Sequence, residues 1–129
     1  MTATHLIDAN VLIALVIEEH EFHQRAQAWV ASHPDIALCP MVEGALVRFL
    51  VRTGETAATA TRILDALRDR CEFWADDVSY ADIELRGVIG HRQVTDAYLA
   101  ALARRRSARL ATFDRGLALA HQDAVTLID

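Results

Sequence analysis

HLIDANVLIALVIEE, residues 5–19, changes character at a single carboxylate. Its opening, His5 to Ile7, is a short apolar run of the kind that lies buried in a sheet. Asp8, Ala9 and Asn10 then make a polar exit turn. From Val11 to Ile17 the chain is apolar on all sides, so periodicity does not separate helix from strand. Asp8 or Asn10 can cap a first turn, which favours a buried helix. A strand that ends on an acid and passes straight into a helix is the opening of a parallel βαβ unit.

The same unit recurs outward from this stretch. A helix over Glu21 to His33 carries Phe22, Ala26, Trp29 and Val30 on one face, and Pro34 ends it. Ile36 to Cys39 reads as the second strand. Pro40 opens the next helix, where Val42, Ala45, Leu46, Phe49 and Leu50 fill an i, i+3, i+4, i+7, i+8 stripe, with Glu43 in its first turn. Gly54 stops that helix, and Thr56 starts another through Ala60, Ile63, Leu64 and Leu67. Cys71 to Trp74 is a third strand. Ser79 and Asp82 form a capping-box-like start for a short helix to about Arg86. Gly87 and Gly90 break the chain. The following helix has Thr95 as its cap, Asp96 at its start, and Val94, Tyr98, Ala101 and Leu102 on one face. Arg109 to Thr112 and Val125 to Ile128 complete five strands. The prediction is an α/β fold, an α/β/α sandwich around a mostly parallel, about five-stranded sheet, formed by one domain over residues 1–129.

Composition sets the class. The apolar fraction of 53% with 24% charged residues describes a globular chain with a real core. The Val11–Ile17 run is far shorter than the ~20 residues of a membrane span. No basic segment precedes it, so neither a membrane span nor a secretory signal is expected. Cys39 and Cys71 read as buried free thiols, in keeping with the cytoplasm. The net charge of −5 is unevenly spread. Residues 1–85 hold 6 Arg against 14 acids, whereas residues 86–115 hold 7 Arg against Asp96 and Asp114 alone. The second half therefore offers a basic face beside two acids. Arg104 to Arg106 also suit the solvated carboxyl end of a helix.

Asp8, Glu43, Asp96 and Asp114 each stand where an apolar run ends or a helix begins. Singly, each has a structural explanation: a cap at Asp8, dipole complementation at Glu43 and Asp96, a turn at Asp114. Jointly, parallel strands would gather them at one sheet edge. Two ionised carboxylates ~5 Å apart at an effective dielectric of ~20 repel by roughly 3 kcal/mol. Protons or a cation must offset that, and Mg²⁺ or Mn²⁺ suits carboxylate oxygen. Asn10 and Thr112 add neutral oxygens beside Asp8 and Asp114. His20 and His23, among Glu18, Glu19 and Glu21, offer a looser alternative site.

The segments LIDANVLIAL, VEGALVRFL, VTDAYLAALA and LATFDRGLA, in this order, resemble the four acidic motifs of PIN-domain ribonucleases, most nearly the VapC toxins of bacterial toxin–antitoxin (VapBC) pairs. The likeness covers nearly the whole chain. It implies a Mg²⁺-dependent endoribonuclease, with Mn²⁺ as a substitute, that hydrolyses tRNA or ribosomal RNA by metal-activated water. It also implies a cognate VapB-type antitoxin, a homodimer and a cytoplasmic location. By the same resemblance Asp8 and Asp96 are the principal metal ligands, Glu43 and Asp114 complete the acidic site, and Asn10 and Thr112 are supporting positions. Arg86, His91, Arg92 and Arg115 are then the candidate RNA contacts. Two positions depart from the usual pattern: Ala9 stands where many relatives have Thr, and Leu117 where an aromatic residue is common.

Two other functions compete. A catalytically silent module could use the acidic pocket to dock a partner's arginine. An Asp8-dependent phosphotransfer domain would want a lysine near the phosphoryl group, and the chain has no lysine and no glycine-rich phosphate loop.

Overall fold

The computed structural model describes residues 3–129. Five strands, β1 (His5–Ile7), β2 (Ile36–Leu38), β3 (Glu72–Phe73), β4 (Arg109–Thr112) and β5 (Val125–Leu127), form one sheet in the order β3-β2-β1-β4-β5. Every pairing is parallel. Six helices connect or follow them: α1 (Ala9–Val16), α2 (His23–Ser32), α3 (Pro40–Arg52), α4 (Ala57–Arg68), α5 (Arg92–Arg105) and α6 (Arg115–Ala120).

Consecutive residues of a strand face opposite sides, yet β1 and β2 are buried at every position. Helices therefore cover both faces, and the strands read as continuous apolar runs for that reason. Leu6, Ile7, Leu38, Leu46, Leu99 and Leu110 lie at the centre of the core, each 0–1% exposed. Ala97, Ala100 and Ala103 put no bulk on the buried side of α5, which packs directly on β1 and β4.

The chain runs outward from β1 to β2 and β3, then returns to the other side of β1 for β4 and β5. Strand order thus reverses between β1 and β4. In open parallel sheets the crevice outside the strands' carboxyl ends at such a reversal is where ligands bind. Asp8 follows β1 and Asp114 follows β4, so local sequence places both acids at that edge. The Asp8 amide donates to the Ala111 carbonyl at 3.0 Å and ties the two strand ends together.

Several local expectations are corrected. Cys71 lies before β3, and it is half-buried where a buried thiol was expected; Cys39 is buried, and both are free. β3 itself is exposed at both residues, as befits a two-residue edge strand. Cys39 is the N-cap of α3 and not the end of β2. The helix expected from Ser79 to about Arg86 is only a 3₁₀ turn over Tyr80–Asp82, with the Ser79 hydroxyl accepting from the Ala81 amide. Thr95 does not cap α5. That helix starts at Arg92, because the Gln93 side chain accepts from the Ile89 and Gly90 amides and folds the preceding loop onto its first turn. Asp96 consequently lies in the second turn. α6 was not foreseen; it follows an Asp114 side-chain cap on the Leu117 amide. Among the described residues no helix is long and apolar enough to cross a membrane.

Candidate active site

Asp8 is 7% exposed, an unusual position for a carboxylate. It is held from two sides. Oδ1 accepts from the Ala9 amide at 2.8 Å, and Oδ2 accepts from the Thr112 hydroxyl at 2.7 Å. Burial pushes its pKa up, these two hydrogen bonds pull it down, and the charge of Asp114 raises it again. The Thr112 hydroxyl, fully buried, also accepts from the Asp114 amide at 3.1 Å and faces Asn10 Nδ2 at 3.4 Å. One hydroxyl therefore fixes the ends of β1 and β4 and the first turn of α1 relative to one another. Thr112 thus contacts both Asp8 and Asp114, whereas Asn10 reaches them only through the Thr112 hydroxyl.

Asp96 reaches the same region from α5. Burial first, and then the negative charges of Asp8 and Asp114, raise its pKa to about 6. Among the described residues no cationic side chain contributes to the shift of Asp8 or Asp96. Asp96 and Asp114 line a cavity of about 460 Å³, with Arg86, Arg92 and Gln93 on its wall. That volume is within the ~300–1,000 Å³ usual for ligand sites. A comparably large, more apolar groove, about 590 Å³, lies among Leu15, Val30, Pro34 and Ile36, away from the acids. Size does not decide between them; the acids make the cavity beside Asp96 the candidate site.

Glu43 has different neighbours. Its pKa is raised by burial, lowered by Arg68 and raised by Asp76; Asp8, Asp96 and Asp114 do not figure among its influences. Asp76 is a residue that sequence reasoning missed. It lies three residues beyond β3, and its Oδ2 accepts from the Met41 amide at 3.1 Å. It thereby supplies the side-chain cap that Cys39 does not give α3. The signal was present in the acids of WADD after the third apolar run, but an exposed pair of aspartates resembles any polar loop. Among the four sequence-selected acids, the charges of Asp8, Asp96 and Asp114 act on one another, whereas the charges acting on Glu43 are those of Arg68 and Asp76. Among the described residues no three His, Cys, Asp or Glu side chains are grouped closely enough to hold a metal ion between them.

The candidate RNA contacts also divide. Arg86, bridged to Glu84 at 3.6 Å, and Arg92 line the cavity. His91 and Arg115 are exposed at the starts of α5 and α6 and are not on its wall. The alternative histidines serve the backbone: His20 Nδ1 accepts from the Phe22 amide, and His23 Nδ1 lies 2.8 Å from the Ala14 carbonyl.

Fold and site define a parallel α/β/α domain with an oxygen-lined acidic crevice at its switch point. The PIN-domain family profile matches residues 5–122. Ribonuclease VapC29 of Mycobacterium tuberculosis is 55% identical, over 97% of this chain and 96% of that protein. Ribonuclease VapC38 of the same species is 40% identical, over 96% and 95% respectively. Among solved structures, VapC20 of M. tuberculosis, a toxin that cleaves the sarcin–ricin loop, superposes with a TM-score of 0.70 at 18% identity, covering 89% of this chain and 93% of that one. VapBC2 of Rickettsia felis, solved on a fragment of its promoter DNA, gives 0.69 at 16% identity over 98% and 99%. The chain belongs to the PIN-domain family, among its VapC ribonucleases. Nucleases of this group are in general metal-dependent.

Proposed function

We propose that this PIN-domain ribonuclease works as one catalytic unit over residues 1–129. In this reading it is the toxin of a toxin–antitoxin pair and hydrolyses phosphodiester bonds of tRNA or ribosomal RNA with Mg²⁺, or Mn²⁺, held at the acidic crevice. The observation that carries the site is the trio Asp8, Asp96 and Asp114. Buried Asp8, half-buried Asp96 and exposed Asp114 carry like charges at one sheet edge, and among the described residues no cation contributes to the shifts of Asp8 and Asp96. The donors are hard oxygens throughout, the set that Mg²⁺ and Mn²⁺ prefer. Mg²⁺ keeps several waters and takes only one or two protein carboxylates, so a tight three-ligand cage is not required.

Asp8 and Asp96 are the proposed direct ligands, with Asp114 and Glu43 completing the site through water. When bound, the ion supplies positive charge that activates water and stabilises the leaving oxygen. The chain's own part is positioning. The Ala9 amide and the Thr112 hydroxyl fix the Asp8 carboxylate in one rotation, and Asn10 backs that hydroxyl. Arg86 and Arg92 stand on the cavity wall where RNA phosphates would enter, with His91 and Arg115 further out as contacts for the flanking chain. A VapB-type antitoxin, a homodimer and a cytoplasmic setting complete the proposal, the last in keeping with two free thiols.

The test is incubation of purified protein with total cellular RNA, with and without Mg²⁺, and mapping of new ends. Discrete cuts that vanish with EDTA and in Asp8→Ala protein are expected. Undiminished cutting by Asp8→Ala protein would end the proposal.

A further inference from the structure

The cavity beside Asp96 and Asp114 does not close at its far end. It shares Glu84, Arg86, Ala120 and His121 with a second cavity of about 660 Å³, whose wall includes Arg104 and Arg105 from the last turn of α5. The two form one trough beside α5, opposite α6. From Asp96 to Arg105 it follows about 14 Å of helix. At ~3.4 Å per stacked nucleotide that is room for about four.

The charges along the trough are arranged unequally. Arg104 is fully engaged: its Nε and Nη2 donate to Asp123 at 2.7 and 2.8 Å, and Nη2 lies 3.0 Å from His121 Nδ1. It braces the turn after α6 against α5. Glu84 is occupied by the Arg86 guanidinium and by the Arg86 amide. Asp82 adds one negative charge to the same wall. Arg105 is exposed, and no described side chain pairs with it. An elongated trough that starts at the acidic crevice and ends at an unpaired arginine fits a single-stranded polyanion better than a globular partner.

We infer that the trough is a binding track for the single-stranded RNA flanking the cut, with Arg105 as its distal phosphate contact and Arg86 midway. The inference rests on the ribonuclease reading of the crevice. A strand so held spans several nucleotides beyond the reacting bond, so Arg105 touches no reacting atom and acts on affinity alone. The Arg104–Asp123–His121 bracket forms the wall and keeps the trough open.

Fluorescence anisotropy in EDTA, with a 12-nucleotide single-stranded RNA and a trinucleotide as probes, tests this. Arg105→Glu should weaken 12-mer binding about tenfold and Arg105→Ala by about threefold. The slope of log affinity against log salt should become shallower by about 0.7–1, one phosphate contact. Trinucleotide binding, which needs only the crevice, should not change. Arg62→Glu on α4 is the charge control and should leave both probes unaffected. Wild-type affinity of Arg105→Glu protein for the 12-mer would overturn the track, as would an equal loss in Arg62→Glu. Wild-type protein that neither binds the 12-mer nor cuts RNA overturns the ribonuclease reading itself, a distinguishable result.

Discussion

The Thr112 hydroxyl donates to Asp8 Oδ2 at 2.7 Å, joining residues 104 positions apart in a fully buried contact. The bond exists because β1 and β4 are parallel neighbours, with Ile7 opposite Ala111, so that the residues following both register positions meet at one sheet end. It aims a carboxylate that would otherwise be held only through Oδ1, by the Ala9 amide.

Thr112→Val keeps the shape and removes the hydroxyl. Asp8 Oδ2 then loses its donor, and the Asp114 amide its acceptor. The expected cost is about 1–3 kcal/mol of stability, read by urea denaturation, with RNA cleavage down at least tenfold. Thr112→Ser should restore most of both. A valine variant that cuts like wild type would show that the contact serves neither purpose.

The raised pKa of Asp96 makes metal-free stability depend on pH. Its carboxyl titrates near 3.8 unfolded and at about 6 folded, so between these values the folded chain holds more protons. Stability in EDTA should therefore fall as pH rises through this window. At pH 7.5 Asp96→Asn should be more stable than wild type by on the order of 1–2 kcal/mol, allowing for solvent screening of a half-buried group. At pH 4 the difference should shrink towards zero. A less stable Asn variant at pH 7.5 contradicts the electrostatic account.

Mg²⁺ should reverse that order. Binding to the folded state alone stabilises by about 2.7 kcal/mol at a hundred times the dissociation constant. Wild type should gain a thermal shift, whereas Asp8→Ala and Asp96→Asn should gain little. Isothermal calorimetry should show loss of binding in both and a smaller change in Glu43→Gln, whose charged neighbours are Arg68 and Asp76. Equal loss in all three variants would place Glu43 among the direct ligands.

Asp76→Ala removes the tertiary cap from the Met41 amide, and about 0.5–2 kcal/mol of stability should go with it. Asp76→Asn keeps an accepting oxygen and should retain most of the cap. Denaturant midpoints of the two variants provide the comparison; coincident midpoints would mean that the hydrogen bond contributes nothing measurable.

Much of this was legible in the chain. Runs such as HLI, IAL and RLAT announce buried strands, and the helices between them require parallel pairing, because a parallel partner needs a long crossover. The placement of Asp8 and Asp114 at strand ends is equally local, since each lies within two residues of the strand it follows. Helix ends were less legible. Thr95 has the chemistry of a cap, but Gln93 holds the loop in a way that starts α5 four residues earlier. Asp76 passed unnoticed because its partner, the Met41 amide, is 35 residues away.

Local chemistry, then, determined the element types, the family motifs and the acids at strand ends. All of these depend on interactions within a few residues, which composition and spacing record. Tertiary structure alone decided that β4 lies beside β1, that Thr112 meets Asp8, that Arg68 and Asp76 are the charges acting on Glu43, and that Arg105 lines the trough leading from Asp96. Short apolar strands are nearly interchangeable as sheet neighbours, so their order is set by how the helices pack over the whole sheet, which no single segment encodes.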